Sequence, residues 1–341
     1  MRFRRTPSAA IAALIISHGI IVLAGFFGPY DPNSQNRTLA FAPPTHIHFL
    51  DAQHKLHLRP FVYRTVSLPG TFNGYQEDRS IAFPIRFFVL GPPYKIFEGV
   101  ASRRHLFGTD ATVRIFLLGS DAYGRDEFSR LLYGGRISLL AGLLATVISI
   151  GIGLGLGSLA GYYGKWVDDI IMRGVEVFLT IPWLYLLLSI RALLPLHINA
   201  NGTFLLLLVM LGIAGWARPA RLIRGVVLSA KEREYVAAAK SFGASDLYIL
   251  LRHISPHTSG VVMTQAALYI PQYILVETTL SFFGLGVSEP APSWGNMLAS
   301  LQQYSVLQSC WWMFAPAVAL VAIFLLYQRL LWRYTGNSPL V

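Results

Sequence analysis

Four histidines, His46, His48, His54 and His57, fall within one short window. Imidazoles at i and i+2 of a strand share a face, so the window could ligate a metal. Asp51 is the one carboxylate beside them, and a solvated His-rich hairpin is the competing reading. Two acids, Glu176 and Glu277, stand inside apolar runs. A carboxylate at membrane depth is costly unless it faces protein or water, so each reads as a pathway residue or as an inter-helix or interfacial polar contact. Ser and Glu occur in apolar stretches, yet no Ser-His, Asp-Asp or H-E-x-x-H pairing accompanies them. The phosphate-binding pattern GxxxxGK[ST] is absent and no GxGxxG stands in register. The single cysteine, Cys310, allows neither an intrachain disulfide nor a Cys-based metal site. These residues do not assemble an enzyme or a self-sufficient nucleotidase.

The elements around them are membrane elements. The chain has 341 residues, 54% hydrophobic and 13% charged, with a mean hydropathy of +0.50, which implies several spans. Its net charge of +11 fits cytoplasmic Lys and Arg, and no basic run stands apart to bind nucleic acid. Arg2, Arg4 and Arg5 precede the apolar run Ala9 to Phe27, which places the N-terminus in the cytoplasm; a cleaved signal peptide fits less well, because the run is long and no A-x-A site follows.

Residues 30–130 are proline-rich and read as an extracytoplasmic, irregular or β-rich segment. Thr45 to Leu58 suggests a hairpin around Asp51-Ala52-Gln53, and Phe61-Val62-Tyr63 a further strand. Span two is about Leu139–Tyr162, where Gly151/Gly155 and Gly157/Gly161 favour close helix approach. Span three is about Ile170–Leu193 with Pro182 within it, and span four about Thr203–Ala217, followed by Arg218, Arg221 and Arg224 at helical spacing. Span five, about Ser259–Gly284, contains Pro271 and Glu277. Beyond it Gly284, Gly286, Pro290, Pro292 and Trp294-Gly295-Asn296 interrupt regular helix, as backbone that lines a cavity would. Span six is about Trp311–Leu331. The expected fold is an all-α polytopic membrane protein of six helices with both termini cytoplasmic, divided as 1–29, 30–130 and 131–341.

Between spans four and five lies a polar stretch, Glu234 to Pro256, within a loop at 231–257. It predicts a helix over Glu234 to Phe242, a left-handed break at Gly243, a Ser245 cap with Asp246 in the next first turn, and a return toward the membrane at Pro256. This helix-turn-helix resembles the cytoplasmic coupling ("EAA") loop of ABC-importer permeases. Ala238, Ala239, Gly243 and Pro256 match its spacing, whereas Ala237 replaces its Glu, Ser255 its Leu, and Ile254 lies one place late. The flanking Glu234-Tyr235-Val236, Gly243-Ala244-Ser245 and Arg252-His253-Ile254 are similar to the peptide and nickel branch. Gly119-Ser120-Asp121-Ala122-Tyr123-Gly124-Arg125-Asp126, with Ser129, Arg130, Leu131, Tyr133, Gly134, Arg136, Ile137 and Ser138, resembles the signature of its C-type subunits. That signature predicts a turn and an amphipathic interface helix leading into span two.

The resemblance implies a permease subunit of an ATP-driven importer of di- or oligopeptides, with nickel or a nickel chelate as the alternative. A membrane-embedded enzyme or sensor is the reading of a different class. It implies a bacterial inner-membrane location and no cofactor on this chain. ATP and Mg would be held by two ATP-binding subunits, beside a second permease subunit in a heterodimer, an extracytoplasmic solute-binding protein, and lipid. Coupling residues would be Glu234, Ala238, Ala239, Gly243 and Pro256; pathway candidates are Glu277, Pro182, Gly284 and Gly286. The resemblance is loose over 1–27 and good over about 105–335, so residues 30–104 are a departure from shorter relatives.

Overall fold

A computed structural model describes residues 9–335 apart from 52, 54, 69–73, 98–99, 110–112, 183–184, 187 and 190–199. The chain separates into two compact units, residues 1–138 with 278–323, and residues 139–277 with 324–341.

The first unit begins with helix α1 (Ala9–Val22), which ends before the expected Phe27; a separate turn follows at Ala24–Phe27. Five strands come next: β1 (His48–Leu50), β2 (Leu56–Ser67), β3 (Tyr75–Pro84), β4 (Arg86–Phe97) and β5 (Val100–Gly108). They form an antiparallel β1-β2-β3 sheet and an antiparallel β4-β5 pair. The hairpin around Asp51 is present, with His48 opposite Phe61 and Leu50 opposite Leu56. Phe61-Val62-Tyr63 is not a separate strand but the centre of the hairpin's second arm, where aromatic and β-branched side chains suit a pleated, half-buried surface. Val62, Ile85, Phe107, Val113 and Ile115 form one buried cluster with the half-buried Phe83, Leu106, Leu117 and Phe128. The strands and the segment after them therefore share a core.

Helix α2 (Glu127–Tyr163) corrects the predicted division into an interface helix and a span: it runs unbroken for 37 residues. Nothing between Glu127 and Leu139 stops a helix, because Gly134 and Gly135 pack against Ser293, Met297, Trp294 and Ile21 instead of turning.

In the second unit follow α3 (Lys165–Thr180), α4 (Ala200–Ala214), α5 (Ala217–Lys231) and α6 (Glu234–Ser241). Helix α7 (Asp246–Phe282) is again continuous over 37 residues. It passes through a π-helical stretch at Ile249–Ile254 and a tighter turn at Ser255–Thr258 before regular helix resumes at Ser259. Pro256 therefore does not end a helix. The π-helical stretch ahead of it changes the hydrogen-bond register, so the chain absorbs a residue that lacks an N–H. Of the glycine pairs read as a close helix approach, Gly157 and Gly161 make it: with Gly153 they face Pro219, Ala220 and Val227 of α5. A Cβ at Gly151 or Gly155 meets no atom within 4 Å among the described residues.

Returning to the first unit, α8 (Trp294–Ala299) and α9 (Tyr304–Ser309) precede α10 (Ala315–Thr335), whose residues from 324 on belong to the second unit. Among the described residues three helical stretches are long and apolar enough to cross a membrane: α2, α7 and Trp311–Leu331. The pair Gly202–Ala214 and Ala217–Lys231, bent by 42°, is a fourth if taken as one span, and α1 is a shorter apolar helix. The outer half of the predicted third span lies partly outside the described residues. Within them α3 stops at Thr180, with Pro182 just beyond its end.

Candidate functional site: a helix-turn-helix and a polar cavity

Helix α6 is amphipathic by placement. Val236 is buried and Ala239 half-buried, while Glu234, Tyr235, Ala237, Ala238 and Ser241 are exposed. Its inner side joins a cluster of Tyr162, Ile223, Val227, Ala230, Val236, Ile249, Leu250 and Ile254, which ties it to α2, α5 and α7. Gly243 adopts φ +79° and ends the helix. The Ser245 hydroxyl accepts from the Tyr248 N–H and starts α7. Polar bonds fix the base of the motif. Lys231 Nζ donates to the Tyr162 carbonyl at 2.7 Å, and the Tyr162 hydroxyl donates to Asp246 at 2.6 Å. Arg224 is held by both oxygens of Asp168. Of three arginines placed on one face by spacing, Arg224 is therefore part of the scaffold, while Arg218 and Arg221 remain exposed.

The outer surface of this motif is apolar and uncovered. Phe242 is 91% exposed, and Leu247, Tyr248 and Leu251 are exposed beside it. A Cβ at Gly243 meets no atom within 4 Å among the described residues. Glu234, Ala238, Ala239 and Gly243 thus lie together on one small element. Pro256 is exposed further along α7.

Within the second unit, α3, α4, α5 and α7 line a cavity of about 130 Å³. Arg218, Tyr269, Gln272 and Tyr273 supply its polar groups, and Phe178 and Leu211 part of its apolar wall. The Tyr273 and Ser149 hydroxyls are 2.6 Å apart, Ser149 donates to the Gly212 carbonyl, and Tyr269 donates to the Gly215 carbonyl at 3.1 Å. The bent α4–α5 junction is therefore where the carbonyls freed by a helix break find partners. None of these residues was singled out as a pathway candidate. The available signal was a Tyr, Gln and Ser set at intervals within apolar helices. Glu277 is fully buried. Gly286 is buried, and a Cβ there would run into Ser281; Gly284 takes φ +73° and is exposed. Glu176 is exposed on α3.

A third arrangement links two stretches that sequence matched separately. Arg125 Nε donates to Asp121 at 2.6 Å, and its terminal nitrogens donate to both oxygens of Glu289, at 2.6 and 3.2 Å. Arg130 Nη2 donates to the same Glu289 at 2.8 Å and Nη1 to the Pro32 carbonyl at 3.2 Å. Arg125, Arg130 and Asp121 are buried. Burial works against the charged guanidinium of Arg125, but Glu289 and Asp121 more than offset it and raise its pKa. Burial pushes the neighbouring Asp126 up to about 6. This clasp was missed because no spacing rule relates Glu289 to residues so far back in the chain.

Of the four histidines, His48 meets Glu77 at 2.9 Å and His57 meets Asp51 at 2.8 Å, the latter holding Asp51 below its usual range. His54 lies outside the described residues. Among the described residues no three His, Cys, Asp or Glu side chains are grouped to hold a metal ion.

Residues 153–332, more than half the chain, match the family of binding-protein-dependent transport system inner membrane components, and the chain belongs to that family. It is 40% identical over 200 residues to the dipeptide transport system permease protein DppC of Bacillus subtilis, covering 58% of this chain and 60% of that protein. It is 35% identical over 220 residues to the oligopeptide transport system permease protein OppC of Haemophilus influenzae, covering 64% and 69%. An inward-facing structure of the MetNI methionine ABC transporter aligns over 61% of this chain and 96% of that one, at 18% identity and a TM-score of 0.43.

Proposed function

We propose that the chain is a permease subunit of an ATP-driven importer of di- and oligopeptides, with six spans and both termini cytoplasmic. The observation that carries the reading is the α6–Gly243–α7 motif. Its inner face is locked into a core with α2 and α5, and its outer face, Phe242, Leu247, Tyr248 and Leu251, is apolar and uncovered. Such a surface suits a partner groove. The chain carries no nucleotide motif, so ATP and Mg belong to two ATP-binding subunits. A second permease chain and an extracytoplasmic solute-binding protein complete the assembly.

In this reading Glu234, Ala238, Ala239 and Gly243 meet the ATP-binding subunit. Closure of those subunits moves α6 as a rigid body, since Val236 and Ala239 are packed against Ile223, Val227 and Ile249. Motion passes to α5 and to α7 through Pro256, and the pathway alternates between its two openings. Pro182, Glu277, Gly284 and Gly286 are pathway candidates. The cavity edged by Arg218, Tyr269, Gln272 and Tyr273 offers a cation for a carboxylate together with aromatic and amide surface, which suits a zwitterionic peptide better than a bare metal ion. The relatives named for dipeptide and oligopeptide transport support the same substrate class.

The test is uptake of a labelled oligopeptide and of nickel by cells with and without the chain, alongside a Gly243→Asp variant. Loss of peptide uptake in both is expected, with the variant still inserted and assembled. Wild-type uptake by an assembled Gly243→Asp variant would sink the coupling reading, and loss of nickel uptake alone would replace the peptide reading.

A further inference from the structure

The β4–β5 hairpin carries exposed apolar side chains that no strand partner explains. Phe87 is 62% exposed, Phe88 63% and Leu90 77%. Other apolar residues are exposed on β1 and β2, among them Leu58, but the β4–β5 patch is tied to the membrane helices of its own unit. The Phe88 ring lies 6.3 Å from that of Phe26, just past α1. Gly25 packs directly on the Tyr94 ring, leaving no room for a Cβ. His105 shares a 2.7 Å hydrogen bond with the Gly28 carbonyl. Arg136 of α2 donates to the Ile96 carbonyl at 2.8 Å, three residues before the apolar run begins at Leu139. Strand β4 is thus fastened along its length to the point where α1 and α2 leave their apolar stretches. Ile15 and Ile16 of α1 are exposed as well, and the half-buried Phe26 past its end makes the contact to Phe88.

Charge fits the same surface. Arg86, Lys95, Arg103 and Arg104 of the hairpin are all exposed, and Leu90 pairs with Arg104 across the strands. Aromatic and aliphatic side chains beside long basic ones are what an acyl–headgroup boundary accepts. The apolar groups enter it, and Arg and Lys reach lipid phosphates.

We propose that the β4–β5 hairpin lies in the headgroup layer of the bilayer at the end of α1, with Phe87, Phe88 and Leu90 at the acyl boundary and the four basic residues on lipid phosphates. The hairpin then acts as a lipid-bound brace that fixes the strand unit against the membrane surface.

The one cysteine, Cys310, is buried, so spin labels can be placed singly. Leu90→Cys, Phe87→Cys, Ile15→Cys as a span reference and Gln76→Cys as an aqueous reference would be labelled in the full chain, purified with its partners. The vesicles would be phosphatidylethanolamine and phosphatidylglycerol. Relaxation by oxygen reports lipid, and relaxation by a water-soluble nickel chelate reports water. The expected result is that labels at Leu90 and Phe87 follow Ile15, with oxygen accessibility above that of the chelate, and that Gln76 shows the inverse ratio. Labels at Leu90 and Phe87 that follow Gln76 while Ile15 stays in lipid would overturn the proposal and leave the spans intact. Labels there that neither reagent reaches would overturn it in favour of a protein contact. An aqueous label at Ile15 as well would overturn the membrane reading of α1.

Discussion

The Asp121–Arg130 clasp and the Glu234–Pro256 motif are both polar stretches set beside apolar ones, and they are built in opposite ways. In the clasp the two buried arginines are answered inside the chain: Arg125 and Arg130 converge on Asp121 and Glu289. Its glycine is hemmed in as well. Gly124 takes φ +66°, and a Cβ there would run into the Asn36 carbonyl. The motif around Gly243 has the same positive φ but no atom within 4 Å of where a Cβ would go, and its most exposed large apolar side chain, Phe242, points away from any core. One region is largely finished within this polypeptide; the other leaves an apolar face unfinished among the described residues. Motif residues alone do not separate the two cases, whereas burial and the surroundings of a glycine Cβ do.

The sharpest way to break this contrast is Arg130→Ala. Arg130 is 1% exposed and bonds the half-exposed Glu289 and the Pro32 carbonyl, and a hydrogen bond involving a charged group is worth about 1.5–3 kcal/mol. The variant should show a large fall in melting temperature in detergent. An unchanged melting temperature would mean that the clasp is not what holds the Glu289 loop.

Gly124→Ala and Gly243→Ala test the two turns side by side. Left-handed backbone alone costs a non-glycine residue about 1–2 kcal/mol. Gly243→Ala should show no more than that, and Gly124→Ala clearly more because of Asn36. Equal losses of thermal stability would remove the distinction. The comparison sharpens further if Gly243→Asp loses uptake at near-normal stability while Gly124→Ala loses both together.

Asp126 gives the clasp a pH signature. Burial raises its pKa to about 6, against the hydrogen bonds from Ser129 that pull it down. A buried acid with a raised folded pKa holds its proton more tightly folded than unfolded. Its penalty is therefore present above about pH 6, shrinks as pH falls through that value, and is gone below the unfolded pKa. Asp126→Asn keeps an acceptor for the Ser129 N–H and removes the charge. Relative to wild type it should be more stable at pH 8 than at pH 5, read as the difference in melting temperature at the two pH values. A difference independent of pH would show that Asp126 does not titrate in this window.

What the sequence disclosed follows the range over which its signals act. Gly243, Ser245 and the ends of α6 were legible because helix caps depend on neighbours within one turn. The hairpin around Asp51 was legible for the same reason. The clasp was not, because Arg125 and Glu289 meet only after the fold has closed a long loop. Pro256 was legible as a break but not as a helix continuation: its missing N–H is absorbed between a π-helical stretch and a tighter turn, ahead of the regular helix from Ser259. Of the glycine stripe, Gly157/Gly161 was read on the contacting face and Gly151/Gly155 off it, since spacing by four fits Gly151/Gly155 as well as Gly153/Gly157. Only the position of α5 selects between them.

The smallest effect tests whether the polar cavity belongs with the finished region or the unfinished one. Ser149 and Tyr273 satisfy one another and the Gly212 carbonyl. An inter-helix hydrogen bond of this kind is worth about 0.6 kcal/mol within a membrane. Tyr273→Phe should therefore barely move the melting temperature. If Tyr273 serves only the α4–α5 break, peptide uptake should follow stability and stay near wild type. If the cavity takes the peptide, uptake should shift in apparent affinity while stability does not. Tyr273→Phe with both stability and affinity unchanged would place the residue with the scaffold, and would leave Arg218 and Gln272 as the cavity's remaining polar groups to test against a peptide.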